Sequence, residues 1–231
     1  MSNFKKWIIL ILIFILIIAF IFTFTLNTVF EPFANKNAND NANKNSNIVL
    51  IGDSILNNSV YVFEHESVPE LVQQQLQKNM NFYNFAKDGA LISDCHKQIL
   101  NLNSTSINLD VNTTIFVSAG GNNILHSLIK SESFINNLFT EYLQLIDAIK
   151  VICPSANIVA LNLYYPLKSN LKSLHPLIKQ WNQLLTDNIS KKGYQIINLD
   201  EIIVSDEDLV YDVEPSLIGG KKIANAILKT V

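Results

Sequence analysis

The sequence contains no arginine; all 17 basic residues are lysine. The forked guanidinium that clamps carboxylates and phosphates in bidentate fashion is therefore missing. That argues against a substrate recognised through a tightly held anion. The lysines nowhere form a run long enough for a nucleic-acid surface, and the 20 acidic residues leave the chain at a net charge of −3. No nucleic-acid partner is expected. Cysteine is scarce: Cys95 and Cys153 are the only two, and neither has metal-ligand spacing. No metal and no other cofactor is expected. The two fall in separate expected elements, so their pairing stays open, with buried structural thiols as the plainer reading. There is no internal repeat, which excludes solenoids and propellers.

Apolar residues, by contrast, are concentrated at the N-terminus. Residues 7–26 carry no charge, and Thr23 and Thr25 are their only polar members. Twenty such positions suffice to span a hydrocarbon core of ~30 Å. A cleaved leader has an apolar core of only ~7–15 residues and a small-x-small site after it, and neither fits here. Lys5 and Lys6 precede the span. The expectation is a cytosolic N-terminus over 1–6 and a transmembrane anchor over 7–26 in contact with the lipid bilayer. The rest of the chain would then be exoplasmic or luminal. From Asn35 to Asn47 asparagine occupies every second position. Asparagine is depleted in strands and nothing apolar accompanies it, so residues 27–47 read as a flexible Asn-rich linker.

About 185 residues follow, enough for one domain with a substantial core. Strand patterns at 48–51, 80–85, 114–117, 157–163 and 194–199 alternate with helical ones at 68–78, 93–102, 131–151 and 176–191, and 218–229 closes the chain. In the long central helix Leu138, Tyr142, Leu145 and Ile149 recur at three- and four-residue steps. The expected fold is α/β, a three-layer doubly wound sheet of about five parallel strands with helices on both faces.

The first strand is the most informative. Ile48-Val49-Leu50-Ile51 is an unbroken apolar run, as in a strand buried on both faces, and it ends in Gly52-Asp53-Ser54. A serine is thus presented at the carboxyl end of a parallel strand, the edge where open α/β sheets bind ligands. Asp53 and Asn57 are suited to organising the turn. Three further segments follow in order: Asn84-Phe85-Ala86-Lys87-Asp88-Gly89, Ser118-Ala119-Gly120-Gly121-Asn122-Asn123, and Tyr211-Asp212-Val213-Glu214-Pro215 leading into Ser216-Leu217-Ile218-Gly219-Gly220.

Together these segments resemble the four motif blocks of the SGNH, or GDSL, hydrolases, a family of serine esterases and deacetylases. The resemblance spans residues 48–231 and implies an SGNH/flavodoxin-like sheet. It implies Ser54 as nucleophile, with the Gly89 backbone N–H and the Asn122 side chain as oxyanion donors beside the Ser54 N–H. In the last block the family has Asp-x-x-His-Pro. Glu214 stands at the histidine position here and Tyr211 at that of the aspartate, while Asn123 replaces a further aspartate. A serine needs a proton acceptor. Imidazole serves at neutral pH, whereas a free glutamate is roughly two pKa units less basic unless burial raises it. Glu214 is the expected base, and His126 and His175 are the alternatives. The function so implied is a membrane-anchored serine ester hydrolase that works through an acyl-enzyme on Ser54 with a small acyl-ester substrate. The competing reading is a catalytically inactive binding module of the same fold for an acylated lipid or glycan.

Overall fold

The computed structural model describes residues 46–231 apart from 106, 110, 111 and 130. Five parallel strands form one sheet: β1 (Ser46–Gly52), β2 (Met80–Asn84), β3 (Asn112–Ser118), β4 (Asn157–Leu161) and β5 (Gln195–Ile197), in the order β2-β1-β3-β4-β5. β1 pairs with β2 through Ile48 opposite Phe82 and with β3 through Gly52 opposite Ser118. Ile48, Val49, Leu50 and Ile51 expose no surface, because both faces of the sheet are covered.

The helices are α1 (Val68–Gln73), α2 (Ile92–Ser104), α3 (Gly121–His126), α4 (Glu132–Ile152), α5 (His175–Ile189), α6 (Leu199–Ile202) and α7 (Leu217–Leu228). α1 packs against α7, while α4 packs against both α2 and α5. With right-handed crossovers this puts α1 and α7 on one face and the other three on the opposite face. The chain runs from β1 outward to β2, then back across β1 to β3. The order of strands reverses there, and the crevice outside the carboxyl ends of β1 and β3 is the natural ligand site.

Packing follows the apolar patterns. On α4 Leu138, Tyr142, Leu145 and Ile149 are all buried, and Ser131 caps the helix by accepting from the Phe134 N–H at 3.2 Å. Trp181 of α5 meets Phe139 and Tyr142 edge-on, with centroids 5.4 Å away in each case. Each such fully buried aromatic contributes on the order of 2–3 kcal/mol of transfer free energy.

The observed elements depart most clearly from the sequence expectations in four places. The first helix ends at Gln73 rather than residue 78, since Gln74, Gln75, Gln77 and Lys78 offer no apolar face to bury. β4 stops at Leu161, because the Asn182 side chain takes over the Leu163 N–H at 2.9 Å and its carbonyl at 2.7 Å. β5 is only three residues long, and Leu199 opens α6. Ser46 and Asn47, read as the end of the linker, are the start of β1. Asn47 is buried there because its amide finds partners in the Asn108 carbonyl and the Thr113 hydroxyl.

The expected anchor at 7–26 and the remainder of the linker lie outside the described residues. Among the described residues no helix is long and apolar enough to cross a membrane. No disulfide joins Cys95 to Cys153; both are buried, on α2 and at the end of α4.

Candidate active site

The turn after β1 is built from close contacts. A Cβ on Gly52 would lie 2.1 Å from the Ser118 carbonyl oxygen, so β1 and β3 can come this close only with glycine at that position. The buried Gln98 of α2 clamps the same residue: its Oε1 accepts from the Gly52 N–H at 2.7 Å and its Nε2 donates to the Gly52 carbonyl at 2.8 Å. Asp53 then closes an Asx turn. Its Oδ1 accepts from the Ile55 N–H at 3.1 Å and from the Ser118 hydroxyl at 2.9 Å, and its carbonyl accepts from Leu56 and Asn57. Ser54 is held in this turn, buried at 5% exposure.

Two neighbouring loops frame it. The segment after β2 is tied to β1 by the Lys87 N–H donating to the Gly52 carbonyl at 3.0 Å. After β3 the chain turns into α3 through Gly120, at φ +102°. That left-handed conformation suits glycine, and a Cβ there would strike the Trp181 ring at 2.5 Å. Asn122 sits in the first turn of α3 and donates Nδ2–H to the Ala90 carbonyl at 3.1 Å. Asn123 accepts from the Ile92 N–H at 3.1 Å, so it caps α2 and does not face Ser54.

Glu214 arrives from a small antiparallel hairpin, β6 (Leu209–Val210) and β7 (Glu214–Pro215). Tyr211 and Asp212 at its tip have φ of 48° and 72°, an uncommon conformation for residues with side chains. The residues on either side of Glu214 are pinned. The Tyr164 hydroxyl donates to the Val213 carbonyl, and Asn58 Nδ2 donates to the Pro215 carbonyl at 2.9 Å. Ser216 then caps α7 by accepting from the Ile218 and Gly219 N–H groups.

Held this way, the Glu214 carboxylate lies beside the Ser54 and Tyr61 hydroxyls, both of which favour its ionised form, and its Oε2 is buried with no hydrogen-bond partner. Burial pushes its pKa above the ordinary glutamate value. The Ser54 hydroxyl opposes that rise, the charge of Asp88 adds to it, and the Tyr61 hydroxyl opposes it. Burial also pushes Asp53 up to about 7, against the opposing hydrogen bonds from Ser118 and Ile55. Asp88, half-buried, is raised as well, again by burial, with Asn57 and the Val60 backbone opposing the rise.

Ser54, Asn122 and Glu214 line one pocket of about 520 Å³, counted out to its open mouth. Ile55, Ile124, Leu163, Leu174 and Ile178 give it apolar walls. Gly89, at φ +71°, is exposed and lies outside that lining. The two alternative bases are elsewhere. His126 is exposed and does not line the pocket, and His175 is bonded through Nε2 to the Pro166 carbonyl at 2.7 Å and packs on Tyr165.

Sequence reasoning missed Tyr61, Asn58 and Gln98. Gln98 alone left a signal: it is a polar residue within the apolar stripe Ile92, Cys95, Ile99 and Leu102 of α2. Among the described residues no group of three or more His, Cys, Asp or Glu side chains is arranged to hold a metal ion.

Residues 48–213 match the family described as GDSL-like Lipase/Acylhydrolase. No curated protein matches the sequence. Among solved structures, the chain is similar to a member of the lipolytic protein G-D-S-L family from Veillonella parvula. That match has 18% identity and a TM-score of 0.67, covering 80% of this chain and 97% of that one. An extracellular lipase from Streptomyces rimosus has 15% identity and a TM-score of 0.61, covering 80% and 98% of the two chains. Phospholipase A1 from Streptomyces albidoflavus has 14% identity and a TM-score of 0.58, covering 81% and 99%. At these identities the likeness is one of fold.

Proposed function

Because the chain belongs to the GDSL-like lipase/acylhydrolase family, we propose that it is a serine ester hydrolase that works through an acyl-enzyme on Ser54, with Glu214 as its base. One observation carries the reading: the Glu214 carboxylate faces the Ser54 hydroxyl at an apolar pocket, with a pKa raised by burial.

In this mechanism the Ser54 oxygen attacks the ester carbonyl carbon and its proton passes to Glu214. The oxyanion that forms accepts from the Asn122 amide and the Ser54 backbone N–H, with Gly89 as the third donor that the family resemblance implies. Collapse breaks the bond to the alkoxy group, which leaves as the alcohol with the proton from Glu214. Water then attacks the acyl-serine, again giving its proton to Glu214. The carboxylic acid departs and the proton returns to Ser54. The apolar walls suit an acyl chain. Residues 7–26 would hold the chain in a membrane, with the domain exoplasmic or luminal.

The test is hydrolysis of a series of p-nitrophenyl esters by the full-length chain. Wild type should turn over, and Ser54→Ala should not. Glu214→Gln should lose on the order of 10²–10⁴-fold in kcat/KM, the usual worth of general-base help. Equal rates for all three would refute the mechanism. A second reading, an inactive module that binds acylated lipid or glycan, rests on the lack of an imidazole among the pocket-lining residues. Wild type inactive on every ester but retaining an acylated ligand would favour it.

A further inference from the structure

A second hydroxyl, that of Tyr61, lies beside Glu214 in addition to that of the proposed nucleophile, and its loop is fastened to the Glu214 hairpin. Tyr61 lies on the loop between Ser54 and α1, which is closed on itself and tied to the Glu214 hairpin by two contacts. The Tyr61 N–H donates to the Asn58 carbonyl at 3.0 Å. The Asn58 side chain, fully buried, donates to the carbonyl of Pro215, the residue after Glu214, and accepts from the Val68 N–H at 2.8 Å. The Tyr61 ring packs at a tilt on Tyr211, with centroids 6.0 Å apart. Tyr61 and Glu214 are thereby held in register from both ends of the hairpin.

We propose that Tyr61 is a positioning residue for the Ser54 chemistry: its hydroxyl donates to the Glu214 carboxylate and fixes the orientation in which that carboxylate faces Ser54. This deepens the hydrolase reading and rests on it. The physical need is plain. A carboxylate on a flexible side chain, with one oxygen buried and unpartnered, can turn about its last torsion unless a donor holds it. In a serine–histidine–aspartate arrangement the third residue performs this task for the imidazole. The family position for that third residue is Tyr211 here, whose ring is exposed; its contact is with the Tyr61 ring, not with the base.

The other charged and titratable groups around Glu214 are Asp88, which acts on it directly, and Asp53 and Tyr164, which feel its charge. Lys168 pairs with Asp212 at 3.8 Å on the hairpin. The charge of Asp88 works against an ionised Glu214, so a donor that favours ionisation carries more weight at this position.

Tyr61→Phe keeps the ring on Tyr211 and removes only the hydroxyl. Losing a donor to the ionised carboxylate disfavours the basic form of Glu214, so the pH at which Ser54 becomes reactive should rise. The assay is the labelling rate of the full-length chain by a fluorophosphonate probe between pH 5 and 9, which needs no knowledge of the natural ester. Ser54 displaces fluoride from phosphorus and gives its proton to Glu214.

Tyr61→Phe should move the acid limb up by about half to one pH unit and lower the plateau about tenfold. Ser54→Ala should not label, and Glu214→Gln should label slowly without the same limb. The proposal is overturned if the Tyr61→Phe profile superimposes on wild type, or falls equally at every pH, while Glu214→Gln loses rate; the hydrolase reading would survive that outcome. If wild type fails to label, or Glu214→Gln matches it, the reading itself fails and the proposal with it.

Discussion

Asp53 offers a sharp test of the electrostatics around Ser54. Its carboxyl is fully buried and pushed from 3.8 up to about 7, burial outweighing the hydrogen bonds from Ser118 and Ile55. In the unfolded chain an aspartate titrates near ~3.9. Between those values the folded form binds a proton that the unfolded form has released. The stability contributed by this group is therefore complete below about pH 4 and is lost as pH rises through about 7. A gap of about three units at 1.36 kcal/mol each makes the cost of an ionisable side chain here about 4 kcal/mol at pH 8, as an upper figure.

Asp53→Asn separates that cost from the hydrogen bonds. Both donors, at 2.9 and 3.1 Å, reach the same oxygen, Oδ1, and the amide oxygen can accept both. The variant should match wild type near pH 4 and exceed it by up to about 4 kcal/mol at pH 8. At roughly 2–4 °C per kcal/mol for a domain of this size, the melting temperatures should diverge by about 10 °C. The measurement is thermal unfolding by near-UV circular dichroism at pH 4, 6 and 8, read as the difference between variant and wild type so that other titrating groups cancel. A difference that does not grow with pH would show that Asp53 is ionised in the fold and that the reasoning is wrong.

Two further outcomes are expected. Gln98→Leu removes the acceptor from the buried Gly52 N–H, while the Gly52 carbonyl keeps Lys87; the melt should fall by the equivalent of about 1–3 kcal/mol, and an unchanged melting temperature would contradict the clamp. The full-length chain should stay with the membrane pellet after an alkaline carbonate wash, and its release to the supernatant would argue against the anchor proposed at residues 7–26.

The sheet was legible because its strands are short apolar runs closed by turn residues. β1 is the clearest, with four apolar positions ending in Gly52-Asp53-Ser54. Six of the seven glycines fall in the four motif blocks, and this marked where backbones had to approach closely or turn sharply. α3, α6 and the β6–β7 hairpin were not legible, since segments of two to six residues carry no measurable period. Glu214 was reached only through its place in a motif; nothing local in Val213-Glu214-Pro215 announces a base. Tyr61 and Asn58 were invisible for a related reason. Their roles depend on contacts across about 150 positions of sequence, and Asn58 was one asparagine among many.

The lack of arginine connects to the chemistry at Ser54. A glutamate replaces a histidine as base only if its proton affinity is raised toward neutrality, and an adjacent guanidinium would pull it the other way. The groups that act on Glu214 are instead burial and the negative charge of Asp88, with Asp53 and Tyr164 coupled to the same charge. Each carboxylate makes the ionisation of the next more costly, so protons are retained to higher pH than isolated side chains would allow. The same field acts on whatever enters the pocket. A carboxylate or phosphate placed at Ser54 would meet like charge and aliphatic walls with no fork to receive it. Under the proposed mechanism, the arrangement that raises the proton affinity of Glu214 also favours an uncharged acyl group at Ser54.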